Sequence, residues 1–258
     1  MARPAITALL PTFNCAGIVR TTLESIRWAD EILVADSFST DGTLEICREY
    51  GARIIQHEYI NSAKQKNWAA PQCKHDWVLQ IDTDEVVSAE LRQEIEVALA
   101  AAPSGLDAYR MPRRNEMLGR WVRYGGIYPD YQTRLFRRDR GRWREREVHA
   151  HLEVPGLTGT LRNPILHFGM PHLSKQLQNL DRYTRYEADE LRKNGKRFRM
   201  VDLLVKPPLV FLHRYLWLQG FRDGLRGFIE SAYLAVYEFL SYAKLWELEE
   251  LGLESSPK

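Results

Sequence analysis

The sequence is poor in cysteine and has none of the spacings that mark a zinc site. Its 258 residues contain only Cys15, Cys47 and Cys73, without a C-x-x-C pair. An odd number of scattered cysteines argues against a disulfide framework and favours reduced thiols in the cytosol. We therefore expect all three to be structural residues.

Long apolar runs are also missing. No stretch reaches the roughly 18 uncharged residues of a membrane-spanning helix, and the apolar segments near the C-terminus are interrupted by His213, Arg214, Arg222 and Arg226. The N-terminus lacks the layout of a secretory signal peptide, and the chain shows neither internal repeats nor low-complexity segments. Together these absences predict a cytoplasmic globular protein.

The net charge is small, but the charges are unevenly placed. The formal net charge is +2, yet residues 110–146 carry twelve Arg against four acids, and residues 192–226 carry nine Lys or Arg against two acids. Basic clusters of this kind predict anionic partners, which are phosphates, nucleic acid or an acidic membrane surface.

Four apolar runs of strand length alternate with four segments of helical spacing in the first hundred residues. The apolar runs are 6–11, 31–36, 52–57 and 77–82. The helical segments are 17–29, 41–51, 61–70 and 88–102. This alternation predicts an α/β fold, in which a mostly parallel sheet carries helices on both faces. Ligands of such sheets bind outside the carboxyl ends of the strands.

The remaining chain changes character twice. Residues 103–170 are rich in Arg, Tyr, Trp and Gly and contain short strand-like stretches, which we assign to the second half of the same sheet. Residues 174–194 have the pattern of a polar helix. Residues 200–246 predict two or three amphipathic helices rich in aromatic side chains.

The run 77–82 ends in a cluster of acids, Asp82, Asp84 and Glu85. In extended backbone, residues two apart point to the same face, and two ionised carboxylates side by side require a neutralising cation. Oxygen ligands favour Mg²⁺ or Mn²⁺, which one or two carboxylates commonly hold together with substrate phosphates. The alternative is an acidic turn before a helix capped by Ser88, and the D-x-D triplet alone does not separate these two interpretations.

Four motifs in order resemble those of family 2 glycosyltransferases. They are LLPTFN (9–14), VADSFSTDGT (34–43), AKQKN (63–67) and QIDTDE (80–85). The stretches 113–139 and 148–154 and several segments near the C-terminus are similar to the subgroup that adds sugars to the lipopolysaccharide inner core, including β-1,4-glucosyltransferases. The resemblance covers nearly the whole chain. It implies a GT-A (Rossmann-like) fold and inverting transfer of a sugar from a nucleotide diphosphate.

The resemblance also implies roles for individual residues. Asp84 would bind Mg²⁺ or Mn²⁺, and a set of polar residues would bind the nucleotide sugar. In that set we place Thr12, Asn14, Asp36, Lys66, Asn67 and Asp82. Arg134, on a predicted strand, would meet the diphosphate or a phosphorylated acceptor, although a solvated basic loop is the alternative for any single Arg there.

Two positions depart from the family pattern. Phe38 stands where the family usually has glycine, and a bulky residue at positive φ would be strained. The subgroup usually has Val-His-Glu where this chain has VHAH, so Ala150 replaces the Glu expected as general base.

The candidate catalytic residues are therefore Asp130, Glu147 and His149. We favour Asp130 as the base because it follows a Gly-Gly turn and precedes a strand. His149 is the candidate for an additional metal or phosphate contact, and a packed or surface histidine is the alternative.

The leading hypothesis is a metal-dependent, inverting hexosyltransferase that uses a UDP-sugar and a lipopolysaccharide inner-core or similar glycolipid acceptor. Residues 1–172 would form the nucleotide-sugar-binding and catalytic GT-A domain. Residues 173–258 would form a helical region that associates with the anionic inner face of the cytoplasmic membrane through Lys206, Arg214, Arg222 and Arg226.

Other functions remain open at this point. Self-association is compatible with the leading hypothesis. The rival hypothesis is a catalytically inactive, nucleotide-binding adaptor at the membrane, and Ala150 is its support. A nucleic-acid partner is not expected, because it would leave the acidic strand end unexplained.

Overall fold

The computed structural model describes residues 3–144, 151–170 and 172–252, except for the side chains of Met170 and Lys175. The chain forms two compact units. Unit 1 comprises Met1–Arg114 and Asp130–Gly169, and unit 2 comprises Asn115–Pro129 and Met170–Lys258. The boundary that the sequence places after residue 172 stays a prediction, because compactness does not show that a part folds independently.

The first half of the sheet is parallel and contains the four strands expected from the apolar runs. These strands are β1 (Ile6–Thr12), β2 (Glu31–Asp36), β3 (Arg53–Gln56) and β4 (Trp77–Gln80), in the spatial order β3-β2-β1-β4. The four expected helices are α1 (Val19–Ile26), α2 (Thr43–Glu49), α3 (Ser62–Ala69) and α4 (Ala89–Ala100). The strand–helix alternation is therefore confirmed.

The second half makes the sheet mixed. The strands of this half are β5 (Glu85–Val87), β6 (Leu106–Met117), β7 (Arg120–Trp121), β8 (Asp130–Arg137), β9 (Arg142–Trp143), β10 (Leu152–Glu153), β11 (Leu157–Thr160) and β12 (Ile165–Met170). Of these, β9 and β10 form a separate two-stranded sheet. The full order is β3-β2-β1-β4-β8-β6-β12-β5, with β8 antiparallel to both β4 and β6. The predicted α/β fold is confirmed, and the antiparallel insertion brings β8 and β12 near the end of β4.

Alternation along the central strands creates two apolar cores, one on each face of the sheet. In β1, Ala8 and Leu10 belong to a core that also contains Leu23 of α1, whereas Leu9 belongs to a second core with Phe136 of β8. Successive strand residues point to opposite faces, so a strand that is apolar at every position must be covered on both sides. The continuous apolar run ITALLP (6–11) follows from this requirement.

Unit 2 is mainly helical. Its helices are α5 (Leu173–Lys193), α6 (Met200–Leu212) and α7 (Leu225–Glu250), with a π-helical turn at His213–Trp217 and a 3₁₀ turn at Gly220–Asp223. A small core forms around Ala188, Tyr242 and Leu245. In the part of the chain that the structure describes, every helix is too short or too polar to cross a membrane.

Candidate active site

The acids after β4 lie in a turn, not on a strand face. Strand β4 ends at Gln80 and β5 begins at Glu85, so residues 82–84 connect the two strands. The extended geometry expected for Asp82 and Asp84 is therefore wrong, and their carboxylates have different partners. The D-x-D spacing alone could not show that the two carboxylates have different surroundings.

Asp82 is neutralised by two cations of the protein itself. Its Oδ1 lies 3.0 Å from Nζ of Lys66, and its Oδ2 lies 2.7 Å from Nη2 of Arg134. Although burial alone would raise the pKa of Asp82, the charges of Arg134 and Lys66 hold it well below its usual range. Burial lowers the pKa of Lys66, and the Asp82 carboxylate opposes this effect. The structure thus brings together three of the predicted donor-binding residues.

Glu85 holds the turn from inside the protein. Its side chain is fully buried, and its Oε1 lies 2.6 Å from Nη2 of Arg134 and 3.6 Å from Nη1 of Arg113. Its Oε2 accepts a hydrogen bond from the backbone N–H of Asp82, while its own N–H donates to the Asp82 carbonyl. Arg134 also donates to Oε1 of Gln80. These contacts fix the backbone on which Asp84 stands, and they leave only Nε of the Arg134 guanidinium buried without a hydrogen-bond partner.

Asp84 faces a histidine that the sequence analysis did not single out. Strand β12 runs antiparallel to β5 and places His167 opposite Glu85. The backbone N–H of Phe168 donates to the Asp84 carbonyl, and Nε2 of His167 lies 3.6 Å from Oδ2 of Asp84. The only sequence signal was a histidine inside the strand-like stretch PILHFG. Its proximity to Asp84 depends on the pairing of two strands that are 80 residues apart.

Gly169 makes room for this acid–imidazole pair. A Cβ atom at Gly169 would overlap the ring of His167 at Cε1 and Nε2 and would lie 3.2 Å from Oδ2 of Asp84. The backbone of β12 therefore approaches the two side chains as closely as only glycine allows.

Asp84 and His167 fit a divalent ion that completes its shell elsewhere. Both side chains are partly exposed, at 27% and 16% respectively. Among the described residues, no group of three or more acidic, His or Cys side chains could hold a metal by itself. Mg²⁺ and Mn²⁺ are commonly held by one or two protein ligands, with waters and substrate phosphates in the other positions. The pair therefore suits an ion that arrives with a phosphorylated substrate.

The loops after β1 and β2 are tied together around Asp36. The buried Asp36 carboxylate accepts hydrogen bonds from Thr12 Oγ1, Gln56 Nε2, and both the backbone N–H and the hydroxyl of Ser39. Burial would raise the pKa of Asp36, but these hydrogen bonds lower it overall. Asn14 accepts from the backbone N–H of Thr40, which links the two loops directly. Thr12, Asn14 and Asp36 thus lie together, and the Asp36 carboxylate shapes the loop.

The turn with Phe38 keeps the geometry expected of glycine. Phe38 has φ of +61°, and its ring is 56% exposed. The exposed ring adds little packing to compensate for the left-handed backbone. Hydrogen bonds from the flanking Ser39 to Asp36 hold the loop instead.

Asn67 is directed away from Lys66 and binds a neighbouring strand. Its amide nitrogen donates to the carbonyl of Trp143 in β9, and its amide oxygen accepts from the N–H of the same residue. Both ends of the side chain are therefore used within the protein. The predicted nucleotide contact by Asn67 is not apparent in this geometry.

Asp130 is bound by neighbours at both carboxylate oxygens. Its Oδ2 accepts from Arg113 Nε at 2.9 Å, and its Oδ1 accepts from Gln132 Nε2 at 2.7 Å. Arg113 also lies near Glu85, so charged contacts connect Asp130 with the acidic turn. The other candidate catalytic residues, Glu147 and His149, and the departure at Ala150 lie outside the described residues.

Comparison of the sequence with known proteins shows the family of the chain. The sequence matches the family described as Glycosyl transferase family 2 over residues 7–167. It is 31% identical to the lipopolysaccharide core biosynthesis glycosyltransferase LpsC of Rhizobium meliloti (strain 1021), over 95% of this chain and 93% of that protein. It is 27% identical to an uncharacterized glycosyltransferase of Rickettsia bellii (strain RML369-C), over 98% of this chain and 88% of that protein.

A solved structure shares the fold. The mannosyltransferase PcManGT from Pyrobaculum calidifontis, solved in complex with GDP-Man and Mn²⁺, aligns with a TM-score of 0.59 and 15% identity. The alignment covers 95% of this chain and 87% of that chain. At this identity the likeness concerns the GT-A-type architecture alone.

Proposed function

Because the chain belongs to glycosyltransferase family 2, we propose that it transfers a hexose from a UDP-sugar, with inversion, to a lipopolysaccharide inner-core or similar glycolipid acceptor. The observation that carries the proposal is the pairing of Asp84 with His167 beside the enclosed cluster of Lys66, Asp82 and Arg134. The acceptor class is suggested by LpsC, whose name assigns it to lipopolysaccharide core biosynthesis. Such an acceptor would place the enzyme peripherally on the inner face of the cytoplasmic membrane.

In this proposal, Asp84 and His167 hold Mg²⁺ or Mn²⁺. The manganese found with PcManGT supports a divalent ion in this fold. When bound, the ion stabilises the negative charge that develops on the departing diphosphate. The residues of the chain keep Asp84 in position for this role, because Glu85 and Arg134 fix the turn between β4 and β5.

Nucleotide recognition would use the linked loops after β1 and β2. Thr12 and Asn14 are joined to the second loop by hydrogen bonds, and Asp36 holds that loop in shape. Asp82 follows the neighbouring strand β4 and is paired with Lys66 of α3, so a nucleotide would extend from these loops toward Asp84. In this arrangement Asp36 acts on the nucleotide chiefly by positioning the loop, since its carboxylate already accepts four hydrogen bonds.

The acceptor hydroxyl must lose a proton as it attacks the anomeric carbon, which requires a base within hydrogen-bond reach. We retain Asp130 as the candidate. Arg113 or Gln132 would have to release one carboxylate oxygen when the acceptor binds. The same engagement of Asp130, together with Ala150 in place of the usual Glu, is what favours the alternative of an inactive nucleotide-binding adaptor.

A thermal-shift series tests the proposal. UDP-glucose, UDP-galactose, UDP-N-acetylglucosamine and GDP-mannose are compared with and without Mn²⁺, using wild type, Asp84→Asn and the control Asp139→Asn. Asp139 is an exposed acid outside the site. We expect a UDP-sugar to stabilise wild type and the control by about 2.7 kcal/mol at 100 times its dissociation constant. Equal stabilisation of Asp84→Asn would refute the metal role.

A second measurement separates the enzyme from the inactive adaptor. Release of UDP is followed with Mn²⁺, the stabilising donor and a lipopolysaccharide-core acceptor. Acceptor-dependent release supports the transferase. Donor binding without any acceptor-dependent release by wild type, across core acceptors of different length, supports the adaptor.

A further inference from the structure

Helix α6 and the π-helical turn that follows it carry an apolar stripe on the surface of unit 2. The exposed apolar residues of this stripe are Val201, Leu204, Val205, Leu209, Leu212, Leu216 and Trp217. Leu204 is 62% exposed and Trp217 is 79% exposed. Their spacing of three, four, seven and eight residues places them on one side of a helix. The opposite side of α6 contributes Leu203 to the small core beneath it.

Aromatic side chains pack beside the stripe. Phe211 stacks on Tyr215 with centroids 5.4 Å apart, and both rings meet the edge of Phe228 in α7. Phe211 and Tyr215 are half-buried in this contact, whereas Phe228 is 45% exposed. The stripe is therefore supported by packed side chains, although its own leucines and tryptophan remain exposed.

Exposed cations flank the stripe at both ends, and one acid lies beside each group of cations. Arg197 and Arg199 precede α6, Arg222 follows the π-helical turn, and all three are exposed. Residues 203–222 contain no Asp or Glu. Of the two flanking acids, Asp202 is buried and lies 3.3 Å from Lys196 and 3.7 Å from Arg199, and Asp223 accepts from two backbone N–H groups. The exposed charged side chains at the ends of the stripe are thus positive.

The contacts also show which cations are engaged inside unit 2. Lys206 donates to the hydroxyl of Tyr242, Arg214 donates to the carbonyl of Gly125, and Arg226 donates to the carbonyls of Met117 and Leu118. Of the four cations that the sequence analysis assigned to lipid, these three hold the unit together. Arg222 also has contacts, with Gln219 and the Tyr124 ring, and Arg199 lies 3.7 Å from an acid. Both side chains are nevertheless exposed, as is Arg197, and all three can meet an anionic surface.

The dimensions of α6 suit an interface and exclude a span. A helix of 13 residues is about 20 Å long, whereas the hydrocarbon core of a bilayer is about 30 Å thick. Pro207 and Pro208 lie inside the helix and cannot donate to the carbonyls of Leu203 and Leu204. Such carbonyls are costly in hydrocarbon but are readily hydrated at the level of the lipid headgroups.

We propose that the apolar stripe of α6 and the π-helical turn docks unit 2 onto an anionic phospholipid surface, with Leu204, Leu212 and Trp217 inserted and Arg197, Arg199 and Arg222 at the phosphates. Tryptophan prefers this interfacial depth, and apolar burial together with basic side chains is what holds interfacial helices on anionic lipid. The inference specifies the membrane surface implied by the proposed glycolipid acceptor, and in that respect it rests on the proposed function.

A second copy of the chain fits this surface less well. In a symmetric dimer, an antiparallel pair of stripes would bring Arg197 and Arg199 of one copy close to Arg222 of the other. The acids beside these cations, Asp202 and Asp223, are already engaged within their own unit, so the like charges would repel each other across the dimer. Anionic headgroups neutralise them directly.

The test is co-sedimentation with vesicles that contain no glycolipid. Vesicles of phosphatidylcholine with 30% phosphatidylglycerol are compared with phosphatidylcholine alone, using the full chain. We expect wild type to bind the anionic vesicles and Leu204→Glu to bind them at least about tenfold more weakly, because an inserted leucine becomes a charge. Val97→Glu is the matched control, since Val97 is a 64% exposed apolar residue on α4 of unit 1, and it should bind as wild type does.

Two further arms make the outcome decisive. The double variant Arg197→Ala/Arg199→Ala should bind anionic vesicles about tenfold or more weakly than wild type, with no change toward phosphatidylcholine alone. The control Arg48→Ala should bind both kinds of vesicle as wild type does. Circular dichroism establishes that each variant is folded. Equal binding by wild type and Leu204→Glu, or no binding by wild type, would overturn the proposal. So would a wild-type dimer in light scattering that Leu204→Glu dissociates.

These arms are independent of sugar transfer. The vesicles carry no acceptor, so their binding reports only on the docking surface. Transfer to a water-soluble, deacylated core acceptor should be the same in Leu204→Glu and wild type. Loss of vesicle binding with transfer retained is the expected signature of the variant, whereas absence of transfer in both proteins would refute the proposed function alone.

Discussion

Arg134 and Glu85 form an enclosed ion pair at the centre of the candidate active site. Arg134 Nη2 lies 2.6 Å from Glu85 Oε1 and 2.7 Å from Asp82 Oδ2, and the Glu85 side chain has no exposed surface. One guanidinium thus joins the strand β8 to both ends of the turn between β4 and β5. The position of Asp84 depends on this pair because Glu85 and Arg134 hold the turn on which Asp84 stands.

Glu85→Gln should therefore destabilise the protein and weaken donor binding together. Removing one member of a buried, hydrogen-bonded ion pair leaves an uncompensated charge and costs about 3 kcal/mol or more. Urea denaturation measures the free energy of unfolding, and calorimetry with the donor and Mn²⁺ measures binding. The matched control is Glu49→Gln, which removes the partner of Arg20 in an exposed pair and should leave the midpoint unchanged. An unchanged midpoint in Glu85→Gln would show that the pair does not hold the turn.

Gly169→Ala should weaken the response to Mn²⁺ without removing any candidate ligand. The added Cβ would overlap the His167 ring and press on Asp84, and displacement of groups that orient metal ligands commonly costs about 10–100-fold in metal affinity. The measurement is the Mn²⁺ concentration that gives half of the donor-dependent thermal shift. Gly17→Ala is the control, because a Cβ there meets no atom within 4 Å. Identical Mn²⁺ dependence in Gly169→Ala and wild type would contradict the proposed pairing of Asp84 with His167 around an ion.

Asn67→Ala should act on stability and not directly on nucleotide binding. The variant leaves the buried N–H and carbonyl of Trp143 without their partner, which costs about 1–3 kcal/mol. Asn67→Asp keeps an acceptor for the N–H and loses the donor, so its stability should lie between that of Asn67→Ala and wild type. A fully stable Asn67→Ala with impaired UDP binding would restore the nucleotide contact implied by the family resemblance.

Glu230→Gln should stabilise unit 2 increasingly as the pH rises. Burial raises the pKa of Glu230, although the hydrogen bond from Gln176 and the charge of Arg214 oppose this effect. The folded state therefore holds the proton more tightly than the unfolded chain, and the free energy of unfolding falls as the pH rises above 4.5. The glutamine keeps an acceptor for Gln176 and removes the titration, so its advantage in melting temperature over wild type should grow from pH 4.5 to 7.5. The exposed Glu247→Gln should show no such trend, and a constant difference for Glu230→Gln would contradict this account.

The parallel half of the fold was predictable because local pattern and tertiary environment agree there. The runs of β1 and β4 are mostly apolar since both sheet faces are covered, and Ser88 caps α4 by accepting from the N–H of Leu91. The antiparallel half was less accessible. Strands β8 and β12 insert between and beside earlier strands, and no local property of their residues specifies which edge they join.

The candidate site, too, was predictable from the sequence only in part. Lys66, Asp82 and Arg134 were each predicted to contact the donor, and the structure places Lys66 and Arg134 within hydrogen-bond distance of Asp82. Asn67 follows Lys66 directly in the sequence, but consecutive helical residues point in different directions, and its amide binds Trp143 instead. His167 was missed because a lone histidine in a strand-like stretch carries no local signal of a functional role.

The sequence by itself determined the alternation of strands and helices, the acids at the end of β4 and the apolar, basic character of the C-terminal third. These properties depend on residue type and on spacing along the chain, so they can be read without knowing which segments meet. Only the tertiary structure decided that Lys66 and Arg134 neutralise Asp82 and that His167 faces Asp84. It also decided that Lys206, Arg214 and Arg226 bind groups of their own unit. Charges act through space, and the partner of each one is set by strand pairing and helix packing between residues that lie far apart in the chain.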